Sequence, residues 1–129
     1  MSGRYLLDTN IIIALFANEA TVIEQLKEVS EIFVPSIVIG ELYYGAQKSG
    51  RAQANTERIV EFANESVVLS CDVETARWYG KVKDELRKKG RPIPENDIWV
   101  AALALQHNLT LVSRDEHFDQ VPDLDIEAW

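Results

Sequence analysis

The sequence predicts an α/β fold in which a parallel β-sheet is covered by helices on both faces. Segments typical of strands alternate with segments typical of helices along the 129 residues. The strand segments are short and apolar without strict alternation, which is the pattern of strands buried on both sides. The length fits one domain spanning residues 1–129, and we find no internal repeat, linker or low-complexity segment.

The first half of the chain is expected to contain four helical segments and two strands. The strand RYLLD ends at Asp8, and Asn10 is the predicted N-cap of a helix through IIIALFAN. A helix over Thr21–Val29 leads to the short strand IFV. The dipeptide PS then begins a helix that contains Glu41. The polar segment AQKSGRAQAN begins as a loop and becomes helical through TERIVEFA.

The second half is expected to contain three strands and two long helices. SVVLS is the third strand, and Asp72 is the predicted N-cap of a helix that ends at Gly90. RPIP is a stiff turn, and ENDIWVAALALQHN is an apolar helix closed by Asn108. LTLVS is the fourth strand, and a last strand lies near LDIEAW.

Composition and charge restrict the classes of protein to consider. The single Cys71 cannot form an internal disulfide, and MSGRYLLDTN lacks the form of a signal peptide. The longest early apolar run, IIIALFA, is far shorter than the roughly 20 residues that span a bilayer. We therefore expect a cytoplasmic protein without membrane association. A net charge of −8 argues against a general nucleic-acid binder, unless positive charge is concentrated locally.

Four acidic residues stand where a parallel sheet of this class forms its binding site. Such sites lie outside the carboxyl ends of the strands. Asp8 ends the first strand, and Asp115 follows the strand LTLVS. Asp97 lies in the first turn of its helix, and Glu41 lies one turn into the helix after the second strand. All four side chains are therefore expected at one edge of the sheet.

Each of these acids also has an ordinary structural explanation. An aspartate at a strand end is often a turn residue, and one in the first helical turn is favoured by the helix dipole. For Asp8, Asp97 or Asp115 taken singly, that explanation is preferred. Glu41 differs because its neighbours on the helix face are apolar, so its carboxylate is predicted to be buried and to need a partner. A salt bridge to Arg114 is the structural alternative.

Four converging carboxylates favour a bound cation. Two of them about 4 Å apart repel by roughly 4 kcal/mol at an effective dielectric of about 20. A hard divalent ion with oxygen ligands, one or two ions of Mg²⁺ or Mn²⁺, would relieve this repulsion. Such an ion orients a water and shields phosphate charge. Zinc is disfavoured because Cys71 is single and because His107 and His117 lack ligand spacing; both histidines are assigned to the surface or to caps.

The motifs LLDTNIII, PSIVIGELYYG, PENDIWVAALALQHNLTLVSRDEHF and DLDIEAW, in that order, resemble the PIN-domain ribonucleases. More narrowly, they resemble the VapC-type toxins of type II toxin–antitoxin pairs. The resemblance covers nearly the whole chain. It implies a Rossmann-like sheet, an endoribonuclease that depends on Mg²⁺ or Mn²⁺, a homodimer, and an antitoxin that blocks the site.

The resemblance assigns roles to individual residues. It implies that the catalytic and metal-binding acids are Asp8, Glu41, Asp97 and Asp115. The supporting residues that it implies are Thr9, Asn10, Asn96 and Ser113. Thr9 resembles the small hydroxyl residue beside the first acid, and Ser113 occupies a position where Thr or Ser assists the site. Asn10 is expected to cap its helix and order the loop.

A basic segment precedes Asp97 and is the candidate surface for RNA. Arg77–Arg91 holds seven of the 13 basic residues and two acids. Composition alone favours a solvated helix face, but the position of the segment beside the acids favours phosphate contact. The candidate RNA contacts are Arg77, Lys81, Arg87, Lys88, Lys89, Arg91 and Arg114.

Two alternative functions stay open at the level of the sequence. One is a non-catalytic module of the same fold that binds RNA or an antitoxin. The other is a phosphatase with Asp8 as nucleophile, which is disfavoured because Asn10 stands where that class carries a second aspartate.

Among the aromatic residues, Trp78 and Trp99 are assigned to the core. One of the adjacent Tyr43 and Tyr44 is expected to face a groove or a partner.

Overall fold

A computed structural model describes residues 3–29 and 31–129 of the chain. Within these residues there are five strands, six α-helices and one 3₁₀ helix. In chain order they are β1 (Tyr5–Leu7), α1 (Thr9–Phe16), α2 (Ala20–Lys27), β2 (Ile32–Pro35), α3 (Ser36–Lys48), α4 (Ala52–Asn64), β3 (Val67–Leu69), α5 (Val73–Lys89), α6 (Glu95–His107), β4 (Thr110–Val112), the 3₁₀ helix Glu116–Gln120, and β5 (Ile126–Glu127).

The five strands form one parallel sheet in the order β3-β2-β1-β4-β5. The chain winds from β1 outward to β3 and then crosses to β4 on the other side of β1. Because crossovers between parallel strands are almost always right-handed, this order puts α1 to α4 on one face and α5 and α6 on the opposite face. The parallel sheet flanked by helices confirms the predicted architecture. The winding direction reverses between β1 and β4, and ligands of open α/β sheets bind at such a point.

The middle of the sheet is fully buried. Leu6 and Leu7 of β1 and Leu111 and Val112 of β4 have no exposed surface, and Leu6 pairs in register with Leu111. Because helices cover both sides of these strands, successive side chains enter apolar surroundings, and the sequence shows no polar alternation. The stretch Ala101–Ala104 of α6 is likewise buried.

Local signals for the helix ends are confirmed in the second half of the chain. Asp72 accepts a hydrogen bond from the backbone N–H of Thr75 at 3.0 Å and completes a capping box at the start of α5. Gly90 ends α5 with φ of 66°, and Asn108 ends α6 with φ of 54°. Both lie in the left-handed region, which Gly and Asn adopt most readily.

The prediction that Asn10 caps α1 is wrong. The helix begins at Thr9, Asp8 occupies the N-cap position, and Asn10 lies in the first turn. The side chain of Asn10 contacts the end of β4 instead of its own helix, as described below. The loop predicted before α4 is also shorter than expected, because only Ser49–Arg51 separates α3 from α4.

The two tryptophans assigned to the core lie at its edge instead. Trp99 is half-buried and stacks on Tyr79 with ring centroids 4.2 Å apart, while Trp78 is half-buried beneath the ammonium of Lys81. The buried positions of α6 are occupied by smaller aliphatic residues, namely Ile98 and Val100–Ala104. Of the adjacent tyrosines, Tyr44 is 67% exposed and Tyr43 packs against the core, as expected for neighbours on a helix.

Among the described residues, no helix is both long and apolar enough to cross a membrane.

Candidate active site

Asp8 lies at the carboxyl end of the central strand and is only 5% exposed. The Ser113 hydroxyl donates to its Oδ2 at 2.8 Å, and Nδ2 of Asn10 lies 3.5 Å from the same oxygen. Burial raises the pKa of the Asp8 carboxyl; the Ser113 hydrogen bond opposes this rise, and the charges of Glu41 and Asp115 add to it. The hydrogen bonds therefore hold the carboxylate in one orientation. Burial and the neighbouring negative charges disfavour its ionised form.

Asn10 and Ser113 join the turn after β1 to the turn after β4. Asn10 donates to Ser113 Oγ at 3.3 Å and accepts from the backbone N–H of Arg114 at 3.1 Å. Ser113, itself buried, accepts from the backbone N–H of Asp115 at 3.0 Å. These bonds hold both acid-bearing turns together, so the predicted ordering of the loop by Asn10 is confirmed even though its capping role is not.

Glu41 reaches the same edge from α3. Its Oε1 accepts a hydrogen bond from Thr9 Oγ1 at 2.7 Å. The buried face of α3 is formed by Val38, Leu42 and Ala46, and Glu41, which immediately precedes Leu42, lies beside that face. The prediction that Glu41 lies on a fully buried stripe is therefore wrong: the carboxylate is partly buried at the rim of the core, where it can meet solvent or a ligand.

The structural alternative for Glu41, a salt bridge to Arg114, is also wrong. The guanidinium of Arg114 pairs with Glu19 in the turn between α1 and α2, and its Nε donates to the carbonyl of Trp129 at 2.7 Å. Arg114 therefore links the turn after β4 to the C-terminal residue. Glu41 is left without a cationic partner among the described residues.

Asp97, Asp115 and His117 form a cluster beside Asp8. One ligand atom from each of the three lies within 4.8 Å of the others. His117 Nδ1 is 3.2 Å from Asp97 Oδ2 and 3.0 Å from Asp115 Oδ1. Burial raises the pKa of Asp97 to about 6; the hydrogen bond with His117 opposes this rise, and the charges of Asp8 and Asp115 reinforce it.

The assignment of His117 to the surface is only half correct. Its side chain is 51% exposed, but its ring lies between two of the acids. Asp115 accepts from the backbone N–H of His117 at 2.9 Å and so begins the 3₁₀ helix that carries the imidazole. In the sequence, His117 stands two residues after Asp115, just beyond a strand. This spacing could have indicated that the imidazole lies near the acids. His107 lies in the last turn of α6, at the opposite end of that helix from Asp97.

The donor set fits a hard divalent cation. Within residues 3–29 and 31–129, no Lys or Arg forms an ion pair with any of the four acids, and His117 is the basic group that contacts them. Burial raises the pKa of both Asp8 and Asp97, and the charges of neighbouring acids raise it further. The groups that could hold Mg²⁺ or Mn²⁺ are Asp8, Glu41, Asp97 and Asp115. Cys71, in the loop before α5, is not part of this set.

Asn96 and two of the candidate RNA contacts border the acids. Asn96 is exposed and lines a depression with Glu41 and Tyr44. Arg91 lines another depression with His117, and Arg114 lines a third with Asp115. The remaining candidates, Arg77, Lys81, Arg87, Lys88 and Lys89, are exposed along α5. Arg77 and Lys88 pair with acids of their own helix at 3.8 and 2.8 Å, so the expected basic surface is partly neutralised.

A groove that the sequence did not predict begins at Thr9 and Glu41. It has a volume of about 330 Å³ and runs between α1, α3 and α4. Its apolar lining consists of Ile13, Phe16, Leu42, Ala46 and Ile59. Ile13 is 55% exposed, which is unusual for an isoleucine in a well-packed helix.

Comparisons with known proteins identify the family of this chain. The PIN domain family matches residues 5–124. Ribonuclease VapC2 of Haemophilus influenzae is 36% identical, with 98% of each chain covered. A tRNA(fMet)-specific endonuclease VapC of Salmonella typhimurium is 30% identical, again with 98% of each chain covered.

Solved structures of similar chains show the same fold. A chain of VapBC2 from Rickettsia felis, bound to a DNA fragment from its promoter, has a TM-score of 0.90 at 30% identity. That match covers 97% of this chain and 98% of the other. A chain of DNA-bound VapBC from Salmonella typhimurium has a TM-score of 0.91 at 29% identity, with 99% of each chain covered. This chain therefore belongs to the PIN-domain family, within the group of VapC-type ribonuclease toxins.

Proposed function

We propose that the protein is an endoribonuclease that depends on Mg²⁺ or Mn²⁺ and acts as the toxin of a toxin–antitoxin pair. One observation carries the proposal. Ligand atoms of Asp97, Asp115 and His117 lie within 4.8 Å of one another, and the charges of Glu41 and Asp115 act on buried Asp8. No Lys or Arg of the described residues pairs with these acids, which lie near the reversal point of a parallel sheet. Burying carboxylates without a cation costs free energy, which favours a bound ion at this site. Carboxylates that hold a divalent cation are suited to phosphodiester hydrolysis.

The residues around the acids serve to hold them in place. Ser113 and Asn10 orient Asp8, and Thr9 orients Glu41. A bound divalent ion would supply an activated water and shield the charge of the phosphate. Arg91, which lies beside the cluster, is positioned to contact an RNA phosphate on the side of His117.

We propose a transfer RNA as the first substrate to test. Relatives with 30% identity over 98% of the chain are named as endonucleases specific for tRNA(fMet). A folded RNA presents single-stranded loops, and these are the regions that proteins most often recognise by sequence. Other RNAs serve as comparison substrates in the same assay.

Cleavage of purified initiator tRNA tests the catalytic proposal. We expect cleavage in Mg²⁺ or Mn²⁺, and loss of cleavage in EDTA or in the Asp8→Asn variant. The matched control is Asp125→Asn, which removes an equal charge from an exposed position outside the site. Full activity of Asp8→Asn, or full activity in EDTA, would contradict the proposal. RNA or antitoxin binding without cleavage in any metal would favour the non-catalytic module.

We further propose that an antitoxin segment occupies the groove between α1, α3 and α4. The groove is largely apolar and ends at Thr9 and Glu41, so an occupant would exclude RNA from the acids. The partner to test is the product of an adjacent gene. Ile13→Glu should weaken its binding, whereas Val73→Glu, at an apolar position that is 84% exposed on α5, should not. Equal binding by both variants would exclude this groove.

We also propose that the protein is a cytoplasmic homodimer. The resemblance to VapC-type toxins supports this, and the exposed ring of Tyr44 offers apolar area for self-association. Sedimentation velocity across a range of concentrations measures the oligomeric state. A monomer at every concentration would contradict the proposal.

A further inference from the structure

We propose that His117 supplies a nitrogen ligand to the metal of this site and thereby makes the site prefer Mn²⁺ over Mg²⁺. The inference rests on the proposed function, because it concerns the ion that the four acids hold. The imidazole would add a nitrogen ligand to a site built from carboxylate oxygens. It would give the site a selectivity for Mn²⁺ over Mg²⁺ that the acids alone do not produce.

The distances within the cluster fit ligands of one ion. His117 Nδ1 is 3.2 Å from an oxygen of Asp97 and 3.0 Å from an oxygen of Asp115. Two neighbouring ligands of an octahedral ion, each about 2.1 Å from it, are separated by about 3 Å. The imidazole nitrogen therefore already lies at the spacing of a shared coordination sphere.

The fold holds the backbone of His117 in place. Its N–H donates to Asp115 at 2.9 Å at the start of the 3₁₀ helix, and the next residue, Phe118, is completely buried. The direction of the ring then depends on two side-chain torsions alone. Half of the side chain is exposed, so the imidazole lies at the boundary between the acids and solvent.

Ligand chemistry predicts which ion gains from the imidazole. Mg²⁺ prefers oxygen ligands and retains its waters, whereas imidazole suits transition metals. A nitrogen ligand from His117 therefore adds more to the affinity for Mn²⁺ than to that for Mg²⁺. An imidazole that only hydrogen-bonds Asp97 and Asp115 would not discriminate between the two ions, and its removal would change both affinities alike.

The test is pulsed electron paramagnetic resonance of Mn²⁺ bound to the full chain, purified without a histidine tag and stripped with EDTA. Because the chain contains two histidines, His107→Ala is the matched control for His117→Ala. We expect a histidine nitrogen coupling in the wild type and in His107→Ala. The coupling should disappear in His117→Ala and in His117→Asn, which retains a polar side chain.

Equilibrium titrations of the same proteins measure the selectivity. For His117→Ala we expect the dissociation constant of Mn²⁺ to rise at least about tenfold, as when groups that support metal ligands are removed. The constant for Mg²⁺ should rise less than about threefold, because water can replace the lost ligand. Circular dichroism of each variant verifies that the fold is retained, and His117→Asn provides the measurement if His117→Ala unfolds.

Three results would overturn the inference. They are a Mn²⁺ complex of the wild type without nitrogen coupling, coupling that persists in both His117 variants, and equal losses of affinity for the two ions. A wild type that cleaves RNA with Mn²⁺ but shows no coupling contradicts the role of His117 and leaves the proposed function standing. A wild type that neither binds Mn²⁺ nor cleaves RNA contradicts both.

Discussion

Replacing Asp97 with asparagine should stabilise the metal-free protein at neutral pH. Burial and the charges of Asp8 and Asp115 raise the pKa of Asp97 from 3.8 to about 6. Keeping this carboxyl ionised in the folded protein therefore costs free energy. An asparagine has nearly the same shape and carries no charge, so the variant avoids that cost.

The size of the effect follows from the pKa. A difference of about 2 pKa units corresponds to about 3 kcal/mol at 1.36 kcal/mol per unit. The folded state binds this proton more tightly than the unfolded state does. The contribution of Asp97 to the free energy of unfolding is therefore most favourable below pH 3.8, falls as the pH rises to about 6, and is constant above that.

Denaturation in EDTA between pH 5 and pH 8 measures this effect. Because the amide must also find hydrogen-bond partners, we expect Asp97→Asn to gain about 1–3 kcal/mol at pH 7.5, or roughly 4–10 °C in Tm. Its advantage should shrink toward pH 5, where the wild-type carboxyl is largely protonated. Added Mn²⁺ should raise the Tm of the wild type more than that of the variant.

The control for this experiment is Asp125→Asn. It removes an equal charge from an exposed position, so it reports how far the lower net charge alone stabilises the chain. A variant Asp97→Asn that is less stable than the wild type at pH 7.5 in EDTA would contradict this prediction. An advantage that is the same at every pH would also refute it.

Three further substitutions test the roles of individual side chains. Glu41→Gln should abolish RNA cleavage and leave the Tm unchanged or higher, since Thr9 can still donate to the amide oxygen; a large loss of Tm would indicate a structural role. Ser113→Ala should lower the free energy of unfolding in urea by about 1.5–3 kcal/mol, because buried Asp8 loses a hydrogen bond to a charged group, and Ser113→Thr should restore most of it. Asp72→Ala should lower the free energy of unfolding by about 1 kcal/mol through loss of the α5 cap, and it should leave the cleavage rate unchanged. An effect on cleavage would show that α5 acts on the site.

Local features of the sequence predict most of the fold. The capping residues Asp72, Gly90 and Asn108 act through backbone groups a few residues away, so their roles are legible in the sequence. The alternation of buried strands and helices similarly predicts the parallel sheet. The position of the α1 cap was missed because Asp8 and Asn10 both suit an N-cap, and the choice between them depends on contacts outside the helix.

Part of the candidate site is also predictable, because it depends on the ends of strands. Asp8 and Asp115 each follow a strand, and parallel strands bring their carboxyl ends to one edge. Glu41 was located on the correct helix, but its burial was overestimated. Apolar neighbours three and four positions away do not distinguish the centre of a buried face from its rim.

The strands, the helices and the acids at strand ends can be predicted from the sequence, because they follow from periodicity and from interactions between near neighbours. The partners of Asn10, Arg114 and His117 are visible only in the folded chain. The hydrogen bonds of Asn10 join residues 103 and 104 positions apart, and they exist because β4 lies beside β1 in the sheet. Arg114 pairs with Glu19 rather than Glu41, and His117 contacts Asp97 in the first turn of α6. These pairs join separate elements, so they depend on how those elements pack.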